Sequence, residues 1–263
     1  MQTMRTSTST AAPSLDTLAR VLPFMRANVA KTADEVRPVE VGWVVRSPSL
    51  PAVWAMNHLR VALALPFEVL VELADEQLAG SRYVHITLEN QEAGPALEDA
   101  FRAAGWKIDR ELLMVMSAAP DRDTDTSIVV GAGEDEVTEL MRRWYGEDEP
   151  DPRVLDQLAE LFLRETRACG DRLLGVRSSD GQLVAMSKLR SDGRVAQVED
   201  VYTVPEARGR GFGRAVVARA VELARDDGHD LIFIDADDND WPKQLYARVG
   251  FRPFGRIWQF HHD

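Results

Sequence analysis

Residues 204–215 read Val-Pro-Glu-Ala-Arg-Gly-Arg-Gly-Phe-Gly-Arg-Ala. Gly209, Gly211 and Gly213 lie among Arg208, Arg210 and Arg214. Glycines let backbone N–H groups close around an anion, and a helix start adds unpaired donors at the positive end of its dipole. Guanidinium groups around such a turn supply fixed positive charge. The chemistry these residues suit is therefore the holding of a phosphate. The dinucleotide fingerprint G-x-G-x-x-G is excluded, because Arg214 stands three places after Gly211. The P-loop is excluded because no Lys-Ser/Thr pair follows. What fits is R-x-x-G-x-G, on Arg208, Gly211 and Gly213. A glycine-rich turn with surface arginines would read the same, so the flanking elements have to decide.

A β-rich run from Ala196 to Val204 leads into the loop. Beyond it, Val216, Val217, Ala220, Val221 and Ala224 recur at helical spacing over 212–225. Arg214, Arg219, Glu222 and Arg225 fall on the other side, and Asp227-Gly228 ends the helix. Leu231–Ile234 reads as a short buried parallel strand. A second helix is expected over 242–249, with Pro242 in its first turn and Gly250 just past its end. A last strand is expected over 257–260.

This order is strand, phosphate loop, helix, strand, an Asn239 loop, a short helix with Leu245-Tyr246, then Gly250-Phe251. Over residues 127–263 it resembles the GCN5-related N-acetyltransferase (GNAT) family. The resemblance implies an α/β (α+β) fold with a mixed, mostly antiparallel sheet flanked by helices. It implies acetyl-CoA as co-substrate and transfer of an acetyl group to a primary amine. Tyr202, Thr203 and Val204 would pair with the pantetheine arm like an added strand. Arg208, Gly209, Arg210, Gly211, Phe212, Gly213 and Arg214 would hold the pyrophosphate, and Asn239 would contact the arm. Tyr246 would reach the cofactor sulfur as the catalytic acid.

Amine acetylation also calls for a base, because alkyl amines have pKa values of roughly 10 and are charged at neutral pH. The family often carries a carboxylate in the strand before the loop, and here the run is Val-Glu-Asp-Val-Tyr over 198–202. Neighbouring strand residues face opposite sides, so Glu199 and Asp200 cannot both enter the cleft unless a bulge intervenes. Glu199 is preferred, Asp235 is the substitute, and a salt-bridged Glu199 without chemical role is the competing reading. No nucleophile motif is evident, so direct transfer in a ternary complex is expected. The alternative is a non-catalytic acyl-CoA-binding regulatory or interaction module.

The first half of the chain looks like a worn copy of the end of the second. Tyr83–Leu88 resembles Leu231–Ile234, and the block Ala100–Trp106 aligns with Leu245–Phe251. Phe101 then stands where Tyr246 stands, without the hydroxyl, and no R-x-x-G-x-G loop precedes it. The expected organisation is a disordered tail over 1–13, a degenerate GNAT-like domain over 14–117, a linker over 118–126 and a catalytic domain over 127–263. A helix is expected over 14–31, broken or kinked at Pro23. Trp43, Trp54, Asn57 and His58 are expected to pack a small core rather than line a pocket.

Hydrophobic residues make up 45% of the 263-residue chain, enough for a sizeable core. The formal net charge of −12 argues against a general nucleic-acid binder. The surplus reads mostly as a solubilising surface. Asp235, Asp237 and Asp238 are the acids best placed to attract a cationic acceptor, because they follow the strand that borders the cleft. The single cysteine, Cys169, is expected to be packed and inert. No metal spacing is found; His261-His262 reads as a tail. No secretory signal or membrane span is read, so a cytoplasmic location is expected. Monomer and homodimer remain open.

Overall fold

The computed structural model describes residues 15–262. The tail expected over residues 1–13 lies outside the described residues. Helix α1 (Leu15–Thr32) continues through Pro23 and buries Val21, Phe24, Asn28 and Thr32 along one stripe. The N-terminal half then runs β1 (Glu35–Val39), β2 (Gly42–Arg46), β3 (His58–Val61), α2 (Phe67–Gln77), β4 (Val84–Leu88), α3 (Gly94–Ala103) and β5 (Lys107–Met116). The C-terminal half begins with β6 (Val129–Gly131), α4 (Glu134–Tyr145), α5 (Pro152–Cys169), β7 (Arg172–Arg177) and β8 (Leu183–Ser191). It continues with β9 (Val195–Thr203), α6 (Phe212–Asp226), β10 (Leu231–Asp237), α7 (Pro242–Val249) and β11 (Phe251–His262).

The helices end where local chemistry stops them. Asp151 caps α5 by accepting from the Arg153 N–H at 2.9 Å, and Gly170 closes it in the left-handed region at φ 69°. Helix α6 buries Val216, Val217, Ala220, Val221 and Ala224, the positions its periodicity marks. Tyr246 and Val249 are the buried residues of the shorter α7.

All described strands join one sheet in the order β1-β2-β3-β4-β11-β5-β10-β9-β8-β7-β6. β3 and β4 pair in parallel, as do β9 and β10. From β1 and from β7 onward the two halves therefore repeat: four strands with a helix between the third and fourth, then a helix and a final strand, with β6, α4 and α5 added in front of the second. Those final strands are exchanged. β11 pairs with β4 of the other half, from Trp258↔Leu88 to His262↔Val84. β5 pairs with β10, from Phe233↔Val115 to Asp237↔Glu111. β5 and β11 then pair with each other along their length, from Phe251↔Met116 to His261↔Lys107. The exchange carries β5 across the boundary expected at residue 117 and brings its side chains beside β10.

Two apolar cores form on the face covered by α2, α3, α6 and α7. One joins Ile232, Ile234, Val217, Val221, Tyr246 and Phe251; the other joins Leu59, Ile86, Leu70, Phe101 and Phe260. On the opposite face, α1 packs Val21 and Phe24 against Phe233, Leu113 and Ile257, and α4 and α5 pack against Met186 and Leu173. Segment 118–126 has no regular element but is firmly held. The N–H groups of Ser117 and Ala118 donate to Gly250 O, and Thr126 Oγ1 donates to Glu222.

Candidate active site

β9 and β10 pair only from Leu231↔Val195 to Ile234↔Val198. Beyond those residues they part, because β9 carries a bulge. Lys188 of β8 faces Glu199 and Met186 faces Tyr202, so one residue too many stands on β9. Asp200 absorbs it at φ 51°, the one non-glycine residue with positive φ among those described. Asp tolerates this left-handed conformation better than most residues. The bulge is the condition under which Glu199 and Asp200 can both reach the cleft, and both line its cavity.

That cavity has a volume of about 800 Å³ and lies between the two halves. Tyr145, Glu199, Asp200, Asp235 and Tyr246 line the C-terminal side. Trp54, Tyr83, Asp109, Arg110 and Glu111 come from the N-terminal half. Trp54 is thus a wall of the cavity rather than core filling. Asn57 and His58 are buried, and Asn57 bonds Ser47 N, Leu50 O and Val53 O to hold the loop before β3. Trp43 packs under the Arg26 guanidinium at 4.2 Å.

Glu199 sits in a charged cluster on the cavity floor. Its carboxylate is 3.0 Å from Arg190, and Asp200 is 2.6 Å from Lys188. Glu165 and Asp171 share the same two cations, at 3.1 and 3.7 Å from Lys188 and 3.2 and 2.8 Å from Arg190. Four carboxylates on two cations leave surplus negative charge. Burial pushes Glu199 up to about 8 against the pull of Arg190 and Lys188, with Glu165 and Asp200 adding to the rise. Asp235, which accepts from Gln197 Nε2 at 2.9 Å, is raised as well, mainly by burial.

Tyr246 is 5% exposed, with its ring in the core against Phe251. Burial, reinforced by Asp235 and Asp200, raises its phenol, so the hydroxyl keeps its proton at neutral pH. Asp237 also lines the cavity, whereas Asp238 does not: it is held by Arg256 at 2.8 Å and Lys243 at 3.3 Å. Cys169 is buried at the end of α5, its thiol pushed up by burial.

The glycine–arginine loop follows β9 through a single 3₁₀ turn, Pro205–Ala207, and ends at the head of α6. Gly209 and Gly211 take φ 75° and 84°, which a side chain would strain, and nothing lies within 4 Å of where their Cβ atoms would be. The backbone there is open to a bulky anion. Arg208 donates to Thr203 O at 2.9 Å and pairs with Glu147 at 3.2 Å, and Glu147 also accepts from the Tyr202 hydroxyl. Arg210 stacks on Phe212 at 4.8 Å and makes no ion pair among the described residues. Gly213 packs near Thr203 Oγ1, and Val204 N–H bonds Val184 O.

Arg214 departs from the expected role. It is 5% exposed and its guanidinium bonds Thr124 Oγ1, Arg122 O and Asp121 at 2.7–2.8 Å. Its charge holds segment 118–126, so it brings only a backbone N–H to the loop. Asn239 lies outside the cavity and accepts from Arg110 at 2.6 Å. His261-His262 is not a tail: both residues lie in β11, with His261 2.8 Å from Asp109 and stacked on Trp54. Sequence reasoning missed Asp109 and Glu111. Their signal was the alternation Ile108, Arg110, Leu112 against Asp109, Glu111 at the start of β5.

A family model described as the acetyltransferase (GNAT) family matches residues 135–251. Glucosamine 6-phosphate N-acetyltransferase 1 of Oryza sativa subsp. japonica is 30% identical over 129 residues, 44% of this chain and 77% of that protein. The chain belongs to the GNAT family. Several of the relatives it matches are named N-acetyltransferases. Mycothiol acetyltransferase of Clavibacter sepedonicus is 35% identical over 82 residues, 30% of this chain, so the chain spans only 27% of that relative's length. The GCN5-related N-acetyltransferase from Kribbella flavida has the same fold over nearly the whole molecule. Its TM-score is 0.60 at 20% identity, covering 93% of this chain and 95% of that one. Among the described residues, no helix is long and apolar enough to cross a membrane.

Proposed function

We propose that this GNAT protein transfers an acetyl group from acetyl-CoA to a cationic primary amine by direct attack while both are bound. The observation that carries this reading is a cavity lined by Glu199 and Tyr246 where β9 and β10 part, with the anion-ready loop following the end of β9. Acetyl-CoA supplies an acyl group activated on sulfur. The N–H groups at the head of α6, with Arg208 and Arg210, would hold its diphosphate, Arg208 exchanging Glu147 for phosphate. The edge of β9 at Tyr202, Thr203 and Val204 would carry the arm.

The amine enters as an ammonium, which the acidic cavity favours. Glu199 takes one proton and frees the lone pair that attacks the acyl carbon as the carbon–sulfur bond breaks. Tyr246 gives its proton to the departing thiolate and regains one from the acylated nitrogen. Glu199 returns its proton to solvent, which balances the reaction. A phosphorylated acceptor would meet carboxylates rather than cations in this cavity, so the sugar-phosphate chemistry in the rice relative's name is not carried over.

The ion pair between Glu199 and Arg190 is also what a non-catalytic acyl-CoA-binding module would contain. Release of free thiol from acetyl-CoA with a panel of amines separates the two readings. Tyr246→Phe should slow turnover and leave acetyl-CoA affinity almost unchanged. Equal turnover in that variant removes Tyr246 from the mechanism, and no thiol release with any amine supports the module.

A further inference from the structure

The cavity is out of charge balance. Ten Asp and Glu side chains line it against a single Arg, and that residue, Arg110, is engaged by Glu98 and Asn239. Glu165, Glu199 and Asp200 have internal cations in Lys188 and Arg190. Glu111 and Asp235 do not. Among the described residues, neither has a Lys, Arg or His nitrogen within ion-pair distance. Each has only an amide: Gln259 Nε2 donates to Glu111, and Gln197 Nε2 donates to Asp235. Arg60 acts on Glu111 from beyond ion-pair distance, and its Nε is committed to Glu89. Buried carboxylates are ordinarily paired.

A second observation lies beside this pair. Gln259 is 7% exposed and lines the cavity, and its Oε1 accepts no hydrogen bond. Its Nε2 is fixed on Glu111, which puts the amide beside that carboxylate, and the same side chain reaches His85 on its other side. The third wall is Trp54, locked by stacking on His261 at 5.5 Å and by an edge contact with His85. Burial holds His85 down to about 4, so it supplies no positive charge at neutral pH. An acceptor oxygen, two carboxylates lacking a cation and an indole are the partners an ammonium on an alkyl chain requires.

We propose that the acceptor is a linear di- or polyamine whose far ammonium is bound by Glu111, Asp235 and Gln259 against Trp54, while its near nitrogen reacts beside Glu199. This rests on the reading of the site as an amine acetyltransferase. Strand exchange is what makes the subsite, since β5 delivers Glu111 next to β10, and β11 delivers Gln259 next to β5. The spacing sets the ligand's length. Paired strands lie about 4.8 Å apart and β9 and β10 part here, so one to two strand steps from β9 set a minimum of about 5–10 Å between the two nitrogens, a span for a polymethylene chain. The N-terminal half, without a phosphate loop of its own, thereby becomes the element that selects the acceptor.

The test compares kcat/KM for diaminobutane and diaminohexane with that for butylamine and hexylamine, using the full chain and acetyl-CoA. The diamines should exceed the monoamines by at least about tenfold, the value of one charge-assisted contact. In Glu111→Gln that ratio should collapse toward one, read as a rise in diamine KM. Calorimetric titration of diaminohexane into the CoA-saturated protein provides a readout without turnover, and Glu111→Gln should weaken it about tenfold. A wild-type ratio near one overturns the subsite while leaving the transferase reading intact. A ratio unchanged in the variant also overturns it. If no amine is acetylated yet diaminohexane binds through Glu111, the transferase reading fails and the subsite stands. If no amine is acetylated and diaminohexane does not bind, the subsite fails as well.

Discussion

Glu199→Gln is the perturbation that most directly probes the proposed proton acceptor. In the wild type, Glu199 shares two cations with three other carboxylates, and burial pushes it up to about 8. The acceptor must be deprotonated to work. Activity is therefore present above that value and lost as pH falls through it. With an ammonium as incoming substrate, kcat/KM should climb about tenfold per pH unit below 8 and stand near a tenth of its plateau at pH 7. It should fall again as the free amine loses its own proton at roughly 10. Gln keeps the size of the side chain but cannot accept the proton. Its turnover should drop by about 10²–10⁴-fold, and the rising limb near 8 should disappear. The assay is thiol release from acetyl-CoA between pH 6 and 10 at fixed ionic strength. Glu111 is pushed up to a similar value, so Glu111→Gln is the control, and the limb should survive there. A Glu199→Gln protein with turnover within about twofold of wild type and an unchanged limb refutes the assignment.

Three further outcomes follow from burial and partners. Glu111 has no cation and a raised value, so its ionisation destabilises the fold progressively from about pH 4.5 upward and fully above about 8. Glu111→Gln should therefore raise the melting temperature more at pH 8.5 than at pH 5, by a few degrees, in differential scanning calorimetry. Arg214→Ala should destabilise by about 1–3 kcal/mol in chemical denaturation, because it takes the donors from Thr124 Oγ1 and Arg122 O while Asp121 stays half exposed. Arg210→Ala should leave stability within about 0.5 kcal/mol and weaken acetyl-CoA about tenfold to a hundredfold by calorimetry.

Much of the C-terminal half was legible because its signals are local. The apolar positions of α6 and the Pro242 and Gly250 limits of α7 are set by periodicity and backbone preference within a dozen residues. The bulge in β9 was legible only as a condition: two adjacent acids in a strand need one to share a face, and Asp200 at φ 51° meets that condition. The strand exchange was not legible. Which neighbour β5 and β11 choose is a tertiary matter, and either partner satisfies the same backbone groups. Asp109 and Glu111 were missed for that reason, since charged residues at a strand's start look solvated until another half covers them. Arg214 shows the same limit from the other side. Its sequence position promises charge at the loop, but its side chain turns away to segment 118–126.

One acetyl-CoA should bind per chain, at the loop heading α6. Isothermal titration of acetyl-CoA into the wild type and Gly211→Val tests it most directly. Val at φ 84° is strained and would draw the loop N–H groups out of place. The predicted result is a single site per chain in the wild type and no measurable binding in a variant that keeps its fold by circular dichroism. Unchanged binding in Gly211→Val, or two sites per chain in the wild type, would contradict it.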